Sequence, residues 1–248
     1  MQLFRIKVCG ITREEDAKLA ASLGADAIGL NFVAGSPRCL DVERAKRVAA
    51  AVPAGVVRVG VFAGVCAAVI HETAEAVGLD AIQLHGELWP SDGDANVERG
   101  VPVDPPQRCG EVRPLPVIRA VHLEPGDGAG VNRLADANRW VEEARQAGAP
   151  PAMLLVDAVV ARETSAAARG GTGRTVDWAG VAGAHTDLPL ALAGGLKPDN
   201  VAEAIAVSGT VAVDVASGVE SAPGVKDATL VGRFIAEALR SLPPIASI

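Results

Sequence analysis

A barrel of eight parallel strands, each followed by a helix, is the α/β fold this sequence predicts, and three observations predict it. Short aliphatic runs alternate with helical patterns nearly from end to end, the order of a parallel α/β fold. The length of 248 residues matches the about 250 typical of one (β/α)8 TIM barrel, so a single domain over 1–248 is expected. The isolated reactive residues fall at the carboxyl ends of the aliphatic runs, and in such a barrel all those ends open on one rim.

The strands are expected at 5–9, 27–32, 56–62, 81–84, 116–120, 153–157, 189–193 and 211–215. They are β-branched or aliphatic without clean alternation, as parallel strands covered by helices are. Thr12, with Glu15 three residues later, fits a capping box for a helix running through Ala21. Asp41 opens a helix through Val52, and Lys197-Pro198-Asp199-Asn200 leads into one over 201–207. An amphipathic helix over 226–242 follows the last strand. The stretch 51–70 is nearly all apolar and resembles a membrane span. Pro53, Arg58, Gly60 and Gly64 interrupt it, and a buried strand running into a helix accounts for it better. Elaborated loops are expected near 88–115 and 122–132, rich in Pro and Gly, the second leading into a helix over about 131–147. Neither flank of these loops is large enough in apolar residues to form its own core, so they are not domain boundaries.

Composition excludes several functions. Aromatics are 3 % with no Tyr, too few for a base-stacking surface, and a formal charge of −7 opposes phosphate-backbone binding, so no nucleic acid is expected. One phosphate can still be held by backbone amides and helix N-termini. The four cysteines, at 9, 39, 66 and 109, have no CxxC spacing and no clustered histidines, so neither zinc nor a disulfide framework is expected. Arg5 and Lys7 interrupt the first apolar stretch, which does not read as a signal peptide. A soluble, cytoplasmic protein without a membrane partner is the expectation.

Cys9 ends the first strand inside Lys7-Val8-Cys9-Gly10-Ile11-Thr12, where Gly10 permits close approach of a ligand or backbone. A lone cysteine is more often a small buried hydrophobe, the reading given to Cys39, Cys66 and Cys109. Asp157 ends a wholly aliphatic run and must be paired, hydrogen-bonded or neutralised there; a structural salt bridge and a proton-transfer role are both open, and Asp214 carries the same ambiguity. Gly170-Gly171-Thr172-Gly173, Gly194-Gly195 and Ser217-Gly218 follow the sixth, seventh and eighth strands. Barrels commonly bind phosphate with the loops after the last two. No GxxxxGK[ST] is present, and Gly126-Asp127-Gly128-Ala129-Gly130 has no strand leading into it, so neither a P-loop nor a dinucleotide fingerprint is met. Arg38 offers a cation after the second strand, suited to a bidentate carboxylate pair or simply solvated. Gln83 and His85 are expected to line the same rim, His85 in a positioning role.

Taken in order, the segments KVCGIT (7–12), GLNFVAGSPR (29–38), VGVFA (59–63), IQLHGE (82–87), VIRA (117–120), LLVDA (154–158), GGTGRTVDW (170–178), LAGGLKPDNV (192–201) and VDVASGVESAPGVKD (213–227) resemble the phosphoribosylanthranilate isomerases of tryptophan biosynthesis. The resemblance implies a cofactor-free barrel carrying out an Amadori rearrangement of a phosphorylated small molecule; the sequence leaves the choice between monomer and homodimer open. It implies Cys9 as general base and Asp157 as general acid. Arg38 is implied to hold the anthranilate carboxylate, with Gln83, His85 and Asp214 also at the substrate. Backbone amides of Gly194, Gly195, Ser217 and Gly218 are implied at the phosphate, and the Gly171-Thr172 loop closes over the sugar. This chemistry needs thiolate beside neutral carboxylic acid, the reverse of the ordinary order. Burial can raise Asp157, while strand-end dipoles or a helix N-terminus can lower Cys9. The chain departs from the family pattern at Ala34, Cys39 and Ala63-Gly64. A related histidine-pathway isomerase is the alternative enzyme, but that chemistry typically has an aspartate where Cys9 stands. A non-catalytic interaction module is a further alternative, and its expected mark is loss of a catalytic residue.

Overall fold

Eight parallel strands close into a barrel in chain order: β1 (Ile6–Cys9), β2 (Ala27–Asn31), β3 (Val57–Ala63), β4 (Ala81–His85), β5 (Val117–Leu123), β6 (Met153–Ala158), β7 (Leu190–Ala193) and β8 (Ala212–Val215). The structure is a computed structural model and describes residues 2–85, 115–123, 138, 141, 142, 145, 151–158, 178–182 and 186–244. Closure comes from β8 pairing with β1, which sets Lys7 against Asp214. All eight expected runs are strands, with ends displaced by one or two residues except that β5 runs three residues further, to Leu123.

Helices Glu14–Ser22, Val42–Ala50, Ala67–Val77, Val201–Ser208 and Ala228–Ser241 follow β1, β2, β3, β7 and β8. The apolar stretch 51–70 divides into β3 and the start of the helix Ala67–Val77, and no helix among the described residues is long and apolar enough to cross a membrane. The segments expected as elaborated loops, near 88–115 and 122–132, lie outside the described residues except at their edges. Of the helix expected over 131–147, residues 138, 141, 142 and 145 are described and are helical.

Alternation along the strands, obscured in the sequence because both faces are apolar, is plain once the barrel closes. Ile6, Val8, Ile28, Leu30, Leu154, Val156 and Val213 face outward and share one core with Val231, Phe234 and Ile235 of the helix Ala228–Ser241. Ala27, Val59, Ala81, Ile118, Ala120, Met153, Leu155, Ala191 and Ala212 fill the barrel interior with Phe4. Each fully buried aliphatic side chain contributes about 1.5 to 3 kcal/mol. The alanines keep the interior narrow, so enlarging one overpacks it at a cost of about 1 to 3 kcal/mol.

Four local expectations are corrected. Cys39 and Cys66 are exposed, not buried hydrophobes, because Cys39 lies in the connection after β2 and Cys66 sits at the N-cap of the helix Ala67–Val77. Thr12 does not cap the first helix. Its Oγ1 donates to the Gly224 carbonyl at 2.6 Å, so the hydroxyl is committed to a distant turn, and Arg13 occupies the N-cap without a side-chain capping bond. Glu14, Glu15 and Asp16 in the first turn provide the favourable interaction with the helix dipole instead. The last helix starts at Ala228, capped by Asp227 accepting from Leu230 N at 2.9 Å, because Val225–Lys226 pairs with Glu220–Ala222 in a small antiparallel hairpin. The helix after β2 ends at Ala50, short of Val52. Asp41 does cap it, accepting from Arg44 N at 2.7 Å.

Candidate active site

The inner-face alternation continues to the carboxyl ends of the strands. Ile6 and Val8 face out, so Lys7 and Cys9 face in; Ala81, Leu155 and Ala212 face in, and two residues on stand Gln83, Asp157 and Asp214. Gly29 lies opposite Cys9 in the register, and a Cβ there would sit 2.6 Å from Cys9 Sγ. The thiol therefore occupies space that only glycine leaves open.

Cys9 is buried, and that burial pushes its pKa above the ordinary thiol value, with the Lys7 ammonium opposing the rise and the Asp214 carboxylate adding to it. The expected lowering by strand-end dipoles or a helix N-terminus is not what acts here. Desolvation dominates, and the opposing groups are the lysines Lys7 and Lys226. Lys7 is fully buried, with Nζ 2.9 Å from Asp214 Oδ2 and within hydrogen-bonding reach of Cys9. Burial pushes its pKa down, but attraction to Asp214 and Cys9 outweighs this and holds it above the ordinary lysine value. Asp214 Oδ1 is buried without a hydrogen-bond partner among the described residues, leaving an acceptor beside the thiol's charge partner.

Arg38 reaches this side of the rim across Gly10. A Cβ at Gly10, which has φ +70, would collide with the Arg38 side-chain stem. The guanidinium forms a bidentate pair with Glu220, Nε to Oε1 at 2.8 Å and Nη2 to Oε2 at 2.5 Å. Those hydrogen bonds raise the Arg38 pKa beyond its ordinary value, against a smaller desolvation effect. Burial pushes the Glu220 carboxyl up, yet its bonds from Arg38 and Lys226 hold it below the usual carboxylate range.

The turns after β7 and β8 lie side by side. Gly194 and Gly195 have φ of +85° and +62°, which L side chains rarely adopt. A Cβ on Gly218 would overlap the Leu196 carbonyl, so this glycine is required for the two turns to touch. Ser217 begins a short 3-10 turn, Ser217–Val219, and is exposed.

Asp157 is half-buried at the end of β6, in register with His122 of β5 and Ala193 of β7. Two strands, β7 and β8, separate it from Cys9 around the closed barrel. On β4, Gln83 Nε2 and His85 Nε2 lie 2.6 Å apart, while the buried Gln83 Oε1 has no hydrogen-bond partner among the described residues. Gly171 and Thr172 lie outside the described residues. Cys9, Arg38 and Asp214 are thus linked through charged neighbours, Gln83 and His85 touch each other, and Asp157 shares the rim by its place on β6.

Sequence reasoning missed Lys7, Glu220 and Lys226 as members of the site. Lys7 had a signal, a charge inside an aliphatic run whose alternation turns it inward; Glu220 and Lys226 had none beyond their place in the last motif. Arg119, also buried, stands between the inward Ile118 and Ala120 and so belongs to the outer face.

The family model for N-(5'-phosphoribosyl)anthranilate isomerase matches residues 6–108 and 131–237. The N-(5'-phosphoribosyl)anthranilate isomerase of Pseudomonas aeruginosa is 39 % identical over 243 residues, 97 % of this chain and 97 % of its own. That of Myxococcus xanthus is 39 % identical over 232 residues, 93 % and 94 % of the two chains. Among solved structures, phosphoribosylanthranilate isomerase from Thermotoga maritima superposes with a TM-score of 0.71 at 33 % identity, covering 96 % of this chain and 99 % of that one. A phosphoribosylanthranilate isomerase solved in complex with reduced 1-(o-carboxyphenylamino)-1-deoxyribulose 5-phosphate gives 0.67 at 30 % identity with the same coverage. A third, of monomers of the dimeric Thermotoga maritima enzyme, gives 0.69 at 30 % identity, again covering 96 % and 99 %.

Proposed function

The chain belongs to the N-(5'-phosphoribosyl)anthranilate isomerase family, and from that premise we propose that it converts N-(5-phosphoribosyl)anthranilate to 1-(2-carboxyphenylamino)-1-deoxyribulose 5-phosphate in tryptophan biosynthesis. Asp157, as a carboxylic acid, gives a proton to the furanose ring oxygen while the bond from that oxygen to the first sugar carbon breaks, leaving an iminium. Cys9, as thiolate, takes the proton from the second carbon; the electron pair moves to the iminium, forming the enolamine, which tautomerises to the ketone.

The observation that carries this reading is the shared inner rim of Cys9 and Asp157, with the glycine turns of β7 and β8 between them. A sugar phosphate seated at those turns reaches a base on one side and an acid on the other. In this reading the amides of Gly194, Gly195, Ser217 and Gly218 hold the phosphate, and Arg38 holds the anthranilate carboxylate. Gln83, His85 and Asp214 face the substrate, and the Gly171-Thr172 loop covers the sugar. Burial keeps Cys9 mostly protonated, so the productive thiolate is a minority form at neutral pH, supported by Lys7. A cytoplasmic setting and a monomer or homodimer belong to the same reading. The free Cys9, Cys39 and Cys66 fit a reducing compartment, and a relative is known as a dimer.

A spectroscopic turnover assay with freshly prepared phosphoribosylanthranilate tests the proposal. Conversion to the deoxyribulose phosphate is the expected result; no conversion by folded protein contradicts it.

A further inference from the structure

Glu220 stands between two cations at the edge of the site. Its Oε1 accepts from Arg38 Nε at 2.8 Å and from Lys226 Nζ at 2.7 Å, its Oε2 from Arg38 Nη2 at 2.5 Å, and its side chain is 4 % exposed. Lys226 is itself anchored. Its Nζ donates to the Ala216 carbonyl at 3.1 Å, and its backbone N–H donates to buried Asp16 at 3.1 Å. The carboxylate is therefore fixed from one side and grips the Nε edge of Arg38 with the other. Of the planar guanidinium fork, Nη1 has no hydrogen-bond partner among the described residues, which leaves that edge for a ligand.

We propose that Glu220 is a positioning residue, holding the Arg38 guanidinium so that its remaining edge meets the carboxylate of the substrate. The proposal rests on the reading of Arg38 as the carboxylate holder. Gly10 lets the Arg38 stem pass directly over the residue next to Cys9, and Glu220 immediately follows the Ser217–Val219 turn expected at the phosphate. The residue thus stands where the two anionic ends of one substrate must both be placed.

Charge alone gives the opposite expectation, which makes the sign of the effect decisive. Arg38, Lys226 and Glu220 together carry one net positive charge, and Glu220→Gln raises this to two. If Glu220 were only a counter-charge, the variant would bind the substrate carboxylate more tightly; if it positions Arg38, the variant binds it more weakly.

The experiment is steady-state kinetics on Glu220→Gln, Glu220→Asp, Arg38→Met and the Arg38→Met/Glu220→Gln double variant, with inorganic phosphate as a competitor. Expected is about a tenfold rise in KM for Glu220→Gln, as for loss of one good charge-assisted interaction, with a smaller change in kcat and an unchanged phosphate inhibition constant. Glu220→Asp recovers part of the loss. In the Arg38→Met background, Glu220→Gln changes KM by less than about twofold, because a residue acting through Arg38 has nothing left to act on. A lower or unchanged KM for Glu220→Gln beside a raised KM for Arg38→Met overturns the proposal alone. The same KM rise in both backgrounds also overturns it. An unchanged KM for Arg38→Met overturns the carboxylate reading of Arg38 and this proposal with it. Should Glu220→Gln fail to fold with Lys226 left unpaired, Lys226→Met/Glu220→Gln removes the stranded charge and carries the same comparison with and without Arg38→Met.

Discussion

Lys7 Nζ lies 2.9 Å from Asp214 Oδ2 inside the barrel, and the pair joins the first strand to the last at the point where the barrel closes. Lys7 has no exposure and Asp214 has 7 %, so neither charge is repaid by water if the other is removed. Lys7→Met is expected to cost about 3 to 5 kcal/mol in urea unfolding, the usual penalty for stranding one member of a buried pair. Lys7→Met/Asp214→Asn removes both charges and should cost less than the sum of the single changes. Additive losses would show that the two residues are not coupled.

Burial holds the Cys9 thiol above its ordinary value of 9.0, with Lys7 opposing it. Alkylation of Cys9 by iodoacetamide, followed by mass spectrometry of the Cys9 peptide, should therefore show a midpoint above pH 9.0 in the free protein. Lys7→Met should move it higher. A midpoint below the ordinary value would contradict this environment.

The same shift fixes the sign of an alkaline instability. The folded state holds the Cys9 proton more tightly than the unfolded chain, so this stabilisation is complete below the ordinary thiol value and is lost as pH rises through the folded one. Lys7, also raised in the fold, acts in the same direction above 10.5. Wild-type protein should thus lose more stability than Cys9→Ala between pH 8 and about 10.5. Equal losses would remove Cys9 as a cause.

At the anion turns, Ser217 is exposed and accepts a larger side chain, whereas Gly218 does not. Ser217→Asp should raise KM at least about tenfold through like-charge repulsion, with a near-native melting temperature. Gly218→Ala should lower the melting temperature, because its methyl group meets the Leu196 carbonyl. An unchanged KM in Ser217→Asp would move the phosphate elsewhere.

The strands were legible because a parallel strand buried on both faces must be aliphatic, and the rim residues because their chemistry interrupts those runs. Cys9 and Asp157 were legible in this way. Thr12 was misread because the local capping pattern was satisfied while the hydroxyl bonds Gly224, 212 residues away. Lys7 acquires its partner only when β8 closes on β1, and Glu220 meets Arg38 across 182 residues. Pairings at such separation leave no periodic or local trace. The direction of the Cys9 shift likewise depends on how deeply the barrel buries the thiol, which no motif records.

The mechanism requires Asp157 to be the acid, and kcat and melting temperature of Asp157→Asn on one preparation decide whether it is. The amide keeps the shape and part of the hydrogen bonding but cannot deliver a carboxylic proton. A fall in kcat of at least about 10²-fold with near-wild-type melting is expected of an acid. A large melting loss with kcat of the folded fraction nearly unchanged would make Asp157 a structural carboxylate and contradict the mechanism.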